Sequence, residues 1–342
     1  MAATLLLALA CALLCVVLRV PLPWFIGPLL ATAVVSMLRA PTVSWAPLRN
    51  AGQCAIGMAL GLYFTPQVGA LVLSLWWAVL LGVAWALVMG ALFSLWLQRT
   101  QGHLPGMNRA TTWFASAIGA ASEMTLLAER AHARTDLVAA AHSLRVLIVA
   151  VLIPFALQFS GVQGLDAAST ATRAFHAGGL LVLALAAVAG AWLLQRLGRA
   201  NPWFMGPMVV AMALTLAGVE LSGVPAWMSN AAQLVIGVSL GVRFTPAFVH
   251  TAPRWLGAVA LGSVVMIALS AGFAWLLAAG TGLHPATMLL GTAPGGIAEM
   301  AITAKVLQLG APVVTVFQIC RLFAVLLLVA PLFEWQQRRD AR

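Results

Sequence analysis

The sequence predicts an all-α polytopic membrane protein made of two inverted repeats, each with five transmembrane helices and one re-entrant hairpin. Three observations carry this prediction: an apolar composition, an internal duplication and a one-sided distribution of basic residues. Of 342 residues, 63% are hydrophobic and 8% charged, with a mean hydropathy of +1.01. A soluble domain carries about a quarter charged residues, and one water-facing core could not hide this much apolar surface. The net charge of +10 gives no nucleic-acid signal, because the basic residues stand singly or in pairs at the ends of apolar runs. The expected partners are therefore the lipid bilayer and a small-molecule solute, with no nucleic acid. Cys11, Cys15, Cys54 and Cys320 lie inside apolar runs without a His cluster and read as small apolar fillers.

The duplication is direct. Trp24-Phe25-Ile26-Gly27-Pro28 returns as Trp203-Phe204-Met205-Gly206-Pro207. Asn50, Gln53, Gly57, Gly61 and Phe64-Thr65-Pro66 return as Asn230, Gln233, Gly237, Gly241 and Phe244-Thr245-Pro246. Ser122-Glu123-Met124 returns as Ala298-Glu299-Met300, and each Glu is followed 22 positions later by an Arg, Arg145 and Arg321. The copies are residues 1–165 and 166–342. Repetition at this scale decides the architecture before any single motif does.

Apolar runs able to cross a bilayer, about 20 residues each, fall near 1–18, 22–38, 50–64, 68–98 and 137–160 in copy one. Copy two has them near 176–195, 203–219, 230–245, 254–280 and 311–333. The first lacks a basic n-region and reads as a retained span, not a signal peptide. One further segment per copy, 109–128 and 284–304, is broken at its centre by Ala117-Ile118-Gly119-Ala120-Ala121-Ser122 and by Thr292-Ala293-Pro294-Gly295-Gly296. Irregular backbone at membrane depth is tolerated only where protein or a water-filled cavity satisfies it. If both segments cross, the sixteen Lys and Arg outside the spans divide eight to eight. If both are hairpins they divide thirteen to three, with Arg19, Arg173 and Lys305 on the poor side. The second division fits the positive-inside rule. Five crossings is an odd number, so copy two is upside down and both termini lie in the cytoplasm of a bacterial inner membrane. Tyr63 becoming Arg243 in an otherwise matching motif agrees with that inversion.

Trp24 and Trp203 open matching spans after a Pro and read as interfacial anchors. The Gly57/Gly61 and Gly237/Gly241 pairs read as close helix packing. Asn50, Gln53, Asn230 and Gln233 read as helix caps and glue.

Four charged residues lie deep in the apolar segments: Glu123, Glu299, Arg145 and Arg321. Each costs roughly 2.5–3.5 kcal/mol at mid-membrane, so they are expected to pair, Glu with Arg, within a copy or across the two. Such pairs either fix the hairpins or form a site. Carriers built from inverted repeats bind substrate and ion where broken segments meet, using free backbone groups as ligands. The candidate substrate- and ion-binding residues are therefore Glu123, Glu299, Arg145 and Arg321, with Gly119, Ser122, Gly295 and Gly296 at the breaks. His142 and Gln318 join them, each one turn before an Arg. An Arg can hold an anion, and a Glu or His can exchange protons. No P-loop, dinucleotide fingerprint, HExxH or nucleophile elbow is present. The expectation is no enzyme, no metal site and no cofactor, apart from H⁺ or Na⁺ as coupling ion.

Pro23-Trp24-Phe25-Ile26-Gly27-Pro28, the Gln53–Gly61 stretch and Ala293-Pro294-Gly295-Gly296-Ile297-Ala298-Glu299-Met300 resemble the AbrB-duplication family of bacterial inner-membrane proteins over nearly the whole chain. Members have carried the labels ammonia monooxygenase and AbrB family transcriptional regulator. The pattern of hairpin, short helix, Gly310-Ala311 and final span is also similar to glutamate/sodium and citrate/sodium symporters. That likeness implies opposed re-entrant loops and makes a homodimer one expected assembly. The usual Gly-Gly-His-Gly type of tip is absent. The functional expectation is a secondary active transporter or exporter of a small anionic solute, coupled to H⁺ or Na⁺. The alternatives are a membrane-embedded oxidoreductase subunit and a membrane protein that influences gene regulation indirectly.

Overall fold

Apolar runs that begin at Pro and end at Gly or a polar pair fold here as helices, and the breaks between them set the architecture. The computed structural model describes residues 1–103, 107–161, 173–246 and 252–340. The boundary expected between the repeats, at 165/166, lies outside the described residues. Copy one supplies α1 (Ala2–Val17), α2 (Pro23–Met37), α3 (Ala46–Gly61), α4 (Pro66–Ser74), α5 (Trp76–Gln101), α6 (Arg109–Ser116), α7 (Ala121–Arg130) and α8 (Thr135–Phe159). Copy two supplies α9 (Ala177–Arg196), α10 (Pro202–Leu216), α11 (Ala226–Gly241), α12 (Pro253–Thr281), α13 (Pro285–Thr292), α14 (Ile297–Val306) and α15 (Ala311–Asp340). No strand occurs among the described residues. The fold is an all-α membrane type: α5, α8, α9, α12 and α15 are each long and apolar enough to cross a bilayer. α1, α2 and α10 are shorter apolar helices, roughly 22–24 Å at 1.5 Å per residue.

One expected span is divided. The run 68–98 forms two helices, α4 and α5, that part at Leu75 (φ −92°, ψ 11°). α4 in turn meets α3 at an 86° bend. Thr65 accepts a hydrogen bond from Val68 N at 3.4 Å and Pro66 opens α4, which is ordinary N-terminal capping chemistry. The bend at Phe64-Thr65-Pro66 thus has a local cause. The parting at Leu75 has no Pro or Gly to announce it.

The chain forms two compact units, and neither is a repeat. The first comprises Met1–Leu75, Pro154–Ala247 and Ala298–Val314; the second comprises Trp76–Ile153, Phe248–Ile297 and Thr315–Arg342. In the first unit the two copies interlock reciprocally. α3 packs on α10, and α11 packs on α2. A Cβ on Gly57 would run into Phe204 O and one on Gly61 into Met208 O. In the other copy, a Cβ on Gly237 would lie 2.5 Å from Phe25 O, and one on Gly241 2.5 Å from Leu29 O. Gly27 and Gly206 do the same for the outer helices, backing onto Cys11 O of α1 and Ala191 N of α9. Ala8 and Ala12 of α1 are fully buried in a cluster with Leu234 and Val238 of α11, and Ala187 and Ala191 of α9 are fully buried as well. The Trp-Phe-x-Gly-Pro motif is therefore a packing hub: its Gly admits one helix and its Phe carbonyl receives a Gly of the opposite copy. The backbone repeats where the side chains do not. Leu22 and Asn201 (φ 47° and 48°) both precede the motif in the left-handed region, and His132 and Gln308 (φ 52° and 53°) both follow the second half of a broken segment.

The second unit is built on α5 and α12, which pack on each other, with α6 on α5 and α13 on α12. Trp85 stacks on Phe273 (centroids 4.4 Å apart) and donates to Ser270 Oγ at 3.2 Å. Trp255, fully buried, donates to Leu137 O at 3.2 Å. The first broken segment turns back on itself. Asn108 Nδ2 donates to His132 O at 2.9 Å, and Arg134 N donates to Thr111 Oγ1 at 3.0 Å. The entry to α6 is thus tied to the exit from α7.

Candidate anion and ion site

Each broken segment leaves helix-end carbonyls without intrahelical partners, and the second unit answers this the same way twice. α6 ends at Ser116 and the chain extends through Ala117 (φ −56°, ψ 134°). α13 ends at Thr292 and extends through Ala293 (φ −61°, ψ 147°). In the first break His142 Nε2 donates to Phe114 O at 2.9 Å; in the second Gln318 Nε2 donates to Leu290 O at 2.6 Å. Donor and acceptor are 28 residues apart in both. An imidazole and an amide thus do one job at equivalent positions.

The arginines complete the clamps unequally. Arg321 Nη1 donates to Ala293 O at 2.6 Å and Nη2 to Gly295 O at 2.7 Å. Arg145 Nη1 reaches Ser116 O only at 3.4 Å, while Nη2 donates to His142 Nδ1 at 2.9 Å. Because Nε2 of His142 gives its proton to a carbonyl, Nδ1 must accept from the guanidinium, which fixes the neutral Nε2–H tautomer. The guanidinium charges also sit at the C-terminal ends of α6 and α13, where the helix dipole favours cations. Arg145 and Arg321 are 2% and 5% exposed, and both Nε atoms are buried without a partner among the described residues.

The expected Glu–Arg pairing is not what these arginines make; their bonded donors go to carbonyls and to His142. Glu123 and Glu299 occupy the first turns of α7 and α14, where the helix dipole favours carboxylates. Glu123 is half-buried, and no ion pair to it occurs among the described residues. Glu299 is buried in the first unit, where the charge bearing on it is that of Arg243, after α11. Of the other candidates, Gly119, Gly295 and Gly296 lie in the breaks and Ser122 is the second residue of α7. A Cβ on Gly119 would lie 3.0 Å from Val325 Cγ1, so close packing accounts for that glycine. The carbonyls of Phe114, Ser116, Leu290 and Ala293 were not candidates by sequence. Their only trace is the shared spacing from break to clamp.

This equivalence gives a prediction. His142→Gln should cost under about 1 kcal/mol, because Gln318 shows that an amide makes the same bond, whereas His142→Ala should lose about 2 kcal/mol by stranding Phe114 O. Thermal unfolding of the purified protein checks it; equal losses for both variants would refute the shared role.

Among the described residues no three His, Cys, Asp or Glu side chains gather as a metal group. Compared with known proteins, residues 24–337 match the family described as "Transition state regulatory protein AbrB". The chain is 25% identical over 339 residues to the uncharacterized protein YhjN of Bacillus subtilis (strain 168), covering 91% of this chain and 86% of that one. It is 27% identical over 317 residues to an Escherichia coli (strain K12) protein under the provisional name regulator AbrB, covering 90% and 88%. No solved structure matches it.

Proposed function

The chain belongs to the AbrB family, and from that premise we propose that it is a secondary transporter or exporter of a small anionic solute, coupled to H⁺ or Na⁺. The observation that carries this reading is the pair of buried guanidiniums, one at each break, with no carboxylate bonded to either among the described residues. A buried charge normally has a counter-charge. Carbonyl dipoles supply part of it here, and an anionic substrate would supply the rest. Glu123 and Glu299 are the titrating groups in this reading, and the bilayer and the solute are its partners.

Reconstituted uptake with a panel of carboxylates, phosphate and sulfate at several pH values tests the assignment. Arg145→Gln should abolish uptake, and the pH dependence should flatten in Glu123→Gln and Glu299→Gln. A pH profile unchanged in both Glu variants would remove them as proton carriers. Uptake intact in Arg145→Gln would remove the anion clamp.

The topology belongs to the same proposal: two inverted copies, ten crossings, both termini in the cytoplasm of an inner membrane. Single cysteines placed at Arg134 and at Lys305 separate it from a twelve-crossing path. In intact cells an impermeant thiol reagent should mark only the one at Lys305; marking of both, or only of that at Arg134, would sink it. The names of the family and of the E. coli relative favour a second reading, a membrane protein that affects gene regulation. Deletion of the gene would then change transcription, and Glu299→Gln or Arg321→Ala would leave that function intact.

A further inference from the structure

The two clamps are unequal, and the weaker one borders an empty space. Arg321 spends two donors on carbonyls at 2.6 and 2.7 Å, which leaves its break pinned. Arg145 makes one carbonyl contact, a long one to Ser116 O at 3.4 Å, and gives its other bonded donor to His142 Nδ1 at 2.9 Å; its Nε, like that of Arg321, has no partner among the described residues. Ser116 also lines a cavity of about 270 Å³ inside the second unit, between α5, the first break and α15. Its wall is mostly apolar, with Leu87, Gly90, Ile118, Val325 and Leu332 among its residues and Ser94 and Gln336 as further polar ones. Trp113 also lines it, with its indole N–H already given to Val329 O at 3.1 Å. Among the described residues no charged side chain lines it.

Building on the transport reading, we propose that this cavity and Arg145 form one substrate site, selective for an amphipathic monocarboxylate, and that Arg321 is a structural pin. A carboxylate arriving beside Ser116 exchanges a long carbonyl contact for a charge-assisted pair with the guanidinium, while the apolar body fills the cavity. One available guanidinium suits one negative charge. The volume sets the size: at about 30 Å³ for each water-sized group, it holds roughly nine non-hydrogen atoms. Octanoate and phenylpropanoate match that body, whereas acetate leaves the cavity empty and succinate brings a second charge into an apolar wall. The same space could take a lipid acyl chain. Arg145 stands one hydrogen bond behind the lining residue Ser116, and its single long carbonyl contact there favours the carboxylate.

The test uses full-length protein in lipid nanodiscs, with binding read from tryptophan fluorescence and calorimetry and uptake read separately in vesicles. Octanoate should bind at least tenfold more tightly than acetate or succinate. Gly90→Leu should lower the octanoate-to-acetate affinity ratio at least tenfold. Its Cβ would meet only ordinary contacts, 3.6 Å from Ser116 O and 3.8 Å from Ala117 Cα, so the added side chain occupies the cavity without a backbone clash. Gly272→Leu, where a Cβ meets nothing within 4 Å, should leave the ratio at the wild-type value. Equal affinities for octanoate and acetate, or a ratio unmoved by Gly90→Leu, overturn the site. So does co-purifying lipid that Gly90→Leu expels while octanoate binding stays unchanged. Uptake of anions without chain-length preference defeats this inference and leaves transport standing. Selective binding with no uptake of any solute keeps the site and defeats transport.

Discussion

Arg321→Ala is expected to lower stability by roughly 3 kcal/mol. The guanidinium is the bonded donor to Gly295 O and one of the donors to Ala293 O. Ala293 O keeps the Gly295 N–H at 2.8 Å, but Gly295 O loses its bond in a buried place. An unsatisfied buried carbonyl costs about 1–3 kcal/mol, and the emptied side-chain volume adds to that. Against a total of about 5–15 kcal/mol for a folded protein, that is a large share. Arg321→Lys should recover part of the loss, because one ammonium cannot span two carbonyls as the planar fork does. Arg321→Met separates volume from bonding. If Met proves as stable as Arg in detergent melts, the carbonyl bonds contribute nothing net, and the charge is retained for a reason other than holding the break.

Gly57→Val and Gly237→Val should each cost about 3 kcal/mol or more, since the new Cβ collides with backbone and not with a side chain that can rotate away. The two positions are reciprocal, Gly57 against Phe204 O and Gly237 against Phe25 O, so the two losses should be similar. Gly272→Ala is the control, with open space around the added methyl; it should be neutral or stabilising by up to about 1 kcal/mol from helix propensity alone. Melting temperature and the fraction recovered as monodisperse protein are the readouts. A tolerated Val at either seam would mean that α3 and α10, or α2 and α11, stand farther apart than described.

Much of this fold could be read from the chain. The duplicated Trp-Phe-x-Gly-Pro and Gly-xxx-Gly motifs are the seams that interlock, and most helix ends fall within a few residues of the apolar runs, although α15 continues to Asp340. The interrupted segments broke where Ala117 and Ala293 stand, because Pro and Gly advertise lost helix. The parting of α4 from α5 at Leu75 was not legible, since neither Ser74 nor Trp76 is a helix breaker. Nor was the partnership of Arg145 and Arg321. Sequence spells side chains, so a spacing of 22 between Glu and Arg invites an ion pair, while the true acceptors are carbonyls that every residue carries. The division into units escaped for a related reason: the contacts that define the first unit join residues of different copies, and linear order does not rank distant partners.

The reciprocal seams have a consequence for how the molecule is made. Gly57 leaves the ribosome about 150 residues ahead of Phe204, the group it is shaped to meet. At a synthesis rate of about 5–20 residues per second, that glycine face waits roughly 7 to 30 seconds for its mate. Copy one cannot mature alone during that time. Whatever inserts this chain into a membrane must shelter a half-built seam, so late-arriving residues such as Phe204 and Met208 act as the latch on everything synthesised before them.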